Sequence, residues 1–82
     1  MPACWSCQVM REILSEIAVT YEGKVNIVFI DAYEEMALVR QYGITTVPAQ
    51  AVFDARGNGI ATHFGALTRE DIVAILQDLG VN

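Results

Sequence analysis

Two cysteines stand three residues apart near the head of the chain, in the run Cys4-Trp5-Ser6-Cys7. Side chains at i and i+3 share one side of a helical turn, so these sulfurs are close enough to bridge. An apolar stripe follows at once, which puts the pair at a helix start, where free backbone N–H groups and the helix dipole favour negative charge. The thiolate is the nucleophile of thiol–disulfide exchange, and such surroundings bring a cysteine pKa from about 8.5 down to roughly 3.5–7.5. Cys4 is therefore the candidate nucleophile. Cys7, one turn further in, is the candidate resolving thiol, which attacks the mixed disulfide formed at Cys4. The exchange moves two electrons and needs no cofactor.

Two other readings of the pair stay open at this point. Buried thiols pack as small hydrophobes. A zinc site wants four ligands, and beyond the cysteines the chain offers only His63, read as a surface residue, and carboxylates, so no metal is expected unless two chains share one. A purely structural bridge is a poor fit, because so short a loop constrains the unfolded chain little.

The elements that must hold the pair are legible in the periodicity. Met10, Ile13, Leu14, Ile17, Ala18 and Tyr21 form the stripe of an amphipathic helix that Gly23 stops. Residues 24–30 (KVNIVFI) are apolar, aromatic and β-branched, as in a strand covered on both faces. Asp31 is placed to cap a second helix running to Tyr42, with Gly43 as its left-handed stop. Residues 50–53 and 60–64 read as a hairpin around Asp54, Gly57 and Asn58. Thr68 and Asp71 form a capping box for a last helix, with Leu67 stapled onto Ile72, a stripe of Ile72, Ile75, Leu76 and Leu79, and Gly80 at its end.

Composition narrows the partners. The chain has 82 residues, 54% of them apolar and 18% charged, with a net charge of −5. That suits one folded domain over residues 1–82, which hides roughly 60–65% of its unfolded surface. Without a cluster of basic residues there is no footprint for nucleic acid. No apolar run approaches a bilayer span and no leader pattern opens the chain, so no membrane partner is expected and a soluble, cytoplasmic protein is.

Thr46-Val47-Pro48 ahead of a strand usually marks an edge or a bend. Taken with the paired cysteines, the apolar strand ending at Asp31, the segment Tyr42-Gly43-Ile44, the hairpin, and Gly65-Ala66-Leu67 before the last helix, it makes the whole chain resemble the thioredoxin family. The resemblance implies an α/β fold and a disulfide reductase acting in electron transport and cell redox homeostasis. It implies that Pro48 is cis and keeps metal from the thiols, and that the loop of Val47 and Pro48 lies beside the redox pair and pairs with the substrate backbone. Gly65, with Ala66 and Trp5, would line the same shallow groove. The implied partners are disulfide-containing proteins and an electron donor, either a flavin- and NADPH-dependent thioredoxin reductase or a small thiol.

The departures from that pattern are specific. The chain opens at Met1-Pro2-Ala3, which reads as a start, so the strand–helix–strand that the family places ahead of the cysteines is missing, and with it a buried carboxylate. Trp5-Ser6 replaces the usual Gly-Pro, leaving the potential open. Glu12 replaces a helix-kinking proline, which should straighten the helix, and Ala49 replaces a threonine. The expected architecture is a truncated thioredoxin-like fold, a three-stranded sheet packed with three helices, in which residues 24–30 pair with residues 50–53 in antiparallel fashion. A dimer covering the apolar face and a fragment of a longer chain are the competing solutions. The competing function is a non-catalytic binding or assembly module.

Overall fold

The structure is a computed structural model that describes residues 4–82; Met1, Pro2 and Ala3, read above as the start, lie outside the described residues. Five elements follow in order: α1 (Trp5–Thr20), α2 (Met36–Gln41), β1 (Ala49–Phe53), β2 (Gly59–Phe64) and α3 (Arg69–Asp78). The chain divides into two compact units, one of residues 4–29 with Leu67–Asn82 and the other of Ile30–Ala66.

The first unit is a pair of helices built on the stripes read above. Met10 and Ile17 of α1 meet Ile72 and Leu76 of α3 in the buried core, with Ile13, Leu14, Tyr21, Val25, Ile27, Leu67, Val73 and Val81 packed around them. Burying side chains of this kind contributes about 1.5–3 kcal/mol each. The capping box of α3 is complete: the Asp71 N–H donates to Thr68 Oγ1 at 3.1 Å and the Thr68 N–H to Asp71 Oδ2 at 3.0 Å. At its other end the Val81 N–H bonds the Leu76 carbonyl and the Gly80 N–H the Gln77 carbonyl, the Schellman pattern that only a left-handed residue such as Gly80 (φ 82°) closes easily. Leu79, expected in the stripe, is the C-cap and stands exposed. Helix α1 runs unbroken for 16 residues past Glu12, and the Arg11 guanidinium lies 4.4 Å from the centre of the Phe29 ring, a cation–π contact.

Residues 24–30 correct the three-stranded expectation. The sheet has two strands, β1 and β2, and residues 25–30 carry no secondary structure. Val25 and Ile27 do face the core in period two, while Val28 (68% exposed), Phe29 and Ile30 are open to solvent. Apolar, β-branched composition suits a residue to a covered pleat but does not supply a hydrogen-bonding neighbour, and β1 is paired with β2 alone among the described residues.

The second unit holds α2 and the hairpin. Asp31 caps a turn rather than the helix: its Oδ1 accepts from the Tyr33 N–H (2.9 Å) and the Glu34 N–H (3.3 Å). Its carbonyl takes the Glu35 N–H at 2.9 Å. With these donors satisfied locally the backbone leaves the helical region at Glu35 (φ −111°, ψ 48°), so α2 begins only at Met36. Its end was legible: the Gly43 N–H bonds the Arg40 carbonyl and the Ile44 N–H the Val39 carbonyl. The hairpin pairs Ala49 with Phe64 and Ala51 with Thr62 and is irregular at Val52/Phe53. Tyr42 packs edge-on against Phe53, ring centres 5.4 Å apart.

Candidate active site

Cys4 is the N-cap of α1, with extended backbone (φ −78°, ψ 100°), and its carbonyl accepts the Gln8 N–H at 3.0 Å, the first bond of the helix. Its Sγ takes the place usually filled by a serine or aspartate oxygen: it accepts the backbone N–H of Cys7 at 3.1 Å. The two cysteines are joined as a disulfide, Cα atoms 5.1 Å apart, so the structure is that of the oxidised form. An N–H donor aimed at a sulfur favours that sulfur's thiolate form. No acidic residue lies in the first turn to oppose a thiolate. Both cysteines are half-buried and neither is sealed; Trp5 between them is 74% exposed and Ser6 is exposed.

The remaining residues singled out from the sequence lie in the second unit. The Val47–Pro48 peptide is cis, with Val47 exposed and Pro48 half-buried. Gly65 stands directly against Pro48: its N–H donates to the Pro48 carbonyl at 2.8 Å. At φ 101° it occupies backbone space that side chains rarely adopt. Sequence reasoning passed over Gln50, whose side-chain Nε2 donates to the Gly65 carbonyl at 3.1 Å. The available signal was a polar residue on the period-two face that Gln50 shares with half-buried Val52. His63 is on the exposed strand β2, and no group of three or more His, Cys, Asp or Glu side chains is arranged to hold a metal ion among the described residues. Nor is any helix among them long and apolar enough to cross a membrane.

A bridged pair of cysteines at the start of a helix, in a small α/β fold, is the arrangement of a thiol–disulfide oxidoreductase. The chain belongs to the thioredoxin family, whose profile, described as Thioredoxin, matches residues 1–78. It is 30% identical to a thioredoxin of Pseudomonas aeruginosa over 90% of this chain and 68% of that one. It is also 30% identical to a thioredoxin of Haemophilus influenzae, over 93% and 70%. Thioredoxin 1 of Nostoc is 29% identical over the same shares. The activity is protein-disulfide reduction of the thioredoxin type.

Proposed function

We propose that Cys4 is the attacking sulfur and Cys7 the resolving one. In its thiolate form Cys4 attacks one sulfur of a substrate disulfide; a new S–S bond forms at Cys4 and the substrate's other sulfur leaves as a thiolate. Cys7 gives up its proton and attacks Cys4 Sγ. The Cys4–Cys7 bridge closes and the second substrate sulfur is released; two electrons and the Cys7 proton have passed to the substrate, whose other thiolate takes its proton from water. The observation that carries the assignment is the Cys7 N–H held 3.1 Å from Cys4 Sγ, since a sulfur at the N-cap that accepts a first-turn N–H is the better placed of the two to hold negative charge.

In this reading the two units work as one thioredoxin-like domain over residues 1–82. Trp5, Val47, Pro48 and Gly65 receive the substrate polypeptide, and the exposed Trp5 and Val47 supply its apolar contacts. The physiological substrates are disulfide-containing proteins. The reducing equivalents come from a thioredoxin reductase or a small thiol, and the setting is cytoplasmic electron transport that maintains redox homeostasis.

Turnover of insulin disulfides with dithiothreitol as donor tests the proposal. Wild type accelerates the reaction and Cys4→Ser falls to the uncatalysed rate; equal rates for the two proteins reject it.

A further inference from the structure

In an antiparallel ladder, facing residues alternate between pairs that exchange two N–H···O bonds and pairs that exchange none. One step beyond the last strand pair, Ala49 with Phe64, Pro48 faces Gly65. Half of a bonded pair is present, the Gly65 N–H donating to the Pro48 carbonyl at 2.8 Å. The return bond cannot form, because proline has no N–H to offer the Gly65 carbonyl. The Gln50 side chain fills that role: its Nε2 reaches the Gly65 carbonyl at 3.1 Å. Both backbone polar groups of Gly65 are thus tied to the segment that begins at Pro48.

The amide is not there for its own comfort. Gln50 is half-buried beside Val52 on one face of β1, and its Oε1 is buried without a hydrogen-bond partner among the described residues, a cost an apolar residue would avoid. Gly65 gains from the restraint: a Cβ placed on it meets nothing within 4 Å, and glycine has the widest backbone freedom of any residue.

We propose that Gln50 is a positioning residue for substrate recognition, its side-chain amide replacing the N–H that Pro48 lacks and so setting the Gly65 carbonyl and the Gly65-Ala66 rim against Val47-Pro48. The proposal rests on the reading that Val47, Pro48 and Gly65 bind the substrate polypeptide. Losing the tie lets the rim wander and weakens docking of a polypeptide, leaving the sulfur chemistry as it was.

The test uses the full chain, insulin as substrate and dithiothreitol as donor, with Gln50→Leu, Gln50→Glu and Val47→Glu compared with wild type. Leucine removes the donor at similar volume, and ionised glutamate keeps the shape without a proton to donate. Both Gln50 variants are expected to raise KM about three- to tenfold with kcat within twofold, as suits one lost hydrogen bond. In wild type, nuclear magnetic resonance should detect a scalar coupling across the hydrogen bond from the Gln50 side-chain amide to the Gly65 carbonyl carbon, and this readout holds even if a variant does not fold. Absence of that coupling overturns the proposal, as does a loss of kcat that tracks lost stability. Unchanged KM in both Gln50 variants with a raised KM in Val47→Glu overturns the role of Gln50 alone. Unchanged KM in Val47→Glu overturns the substrate-binding reading and this role with it.

Discussion

The backbone N–H of Cys7 points at the sulfur of Cys4 across 3.1 Å, and that sulfur caps the helix on which both residues sit. In the oxidised protein that hydrogen bond closes the first turn of α1; in the proposed mechanism it also bears on the charge of Cys4.

The reduced state carries the first prediction. With Cys7→Ser, the pH dependence of Cys4 alkylation by iodoacetamide should report a pKa below that of a free cysteine, about 8.5. A value at or above 8.5 would mean that the helix start does not stabilise the thiolate.

The helix pair that presents the cysteines hangs on very few side chains. Ile17 is 0% exposed at the centre of the α1–α3 core, so Ile17→Ala should cost about 2–5 kcal/mol. Val19, two residues on and 77% exposed, should lose less than about 0.5 kcal/mol on the same change. Urea unfolding of the two variants checks this; similar losses would contradict the described core.

The hairpin loop supplies a pH dependence. Asp54 Oδ1 accepts from the Arg56 and Asn58 N–H groups, both at 2.9 Å, and Oδ2 from the Asn58 side chain at 3.2 Å. The Asn58 backbone bond, ahead of the others, holds its carboxyl below the ordinary aspartate range. A carboxyl more acidic folded than unfolded adds stability above its unfolded pKa, about 3.9, and loses it as pH falls through the folded value. From pH 6 down to pH 2 the urea midpoint of wild type should therefore drop further than that of Asp54→Asn. Parallel declines would show that the loop bonds do not favour the ionised form. Full solvent exposure keeps the difference small.

What the residues announced in advance depends on how local each cause is. The α1 stripe, the Thr68–Asp71 box and the stops at Gly43 and Gly80 are settled by neighbours within one or two turns, and they stand where periodicity put them. Residues 24–30 misled because apolar composition is a property of the segment, whereas a strand is a property of a pair. Asp31 misled for a nearer reason, since the same carboxylate that can cap a helix also closes a turn, and here the turn took its acceptors. That Cys4 and Cys7 lie close enough to bridge was legible from their spacing. Pro48 and Gly65 were singled out only through the family resemblance. Gln50 stayed unread because its task exists only once the register sets a proline, which has no N–H, opposite Gly65.

The order of events at the two sulfurs is the point on which the account turns, and trapping tests it most directly. Cys7→Ser, mixed with insulin in its disulfide form and analysed by peptide mass spectrometry, should accumulate an adduct in which Cys4 is bonded to an insulin cysteine, while Cys4→Ser under the same conditions accumulates little. An adduct on Cys7 of Cys4→Ser equal to or greater than that on Cys4 of Cys7→Ser would contradict it.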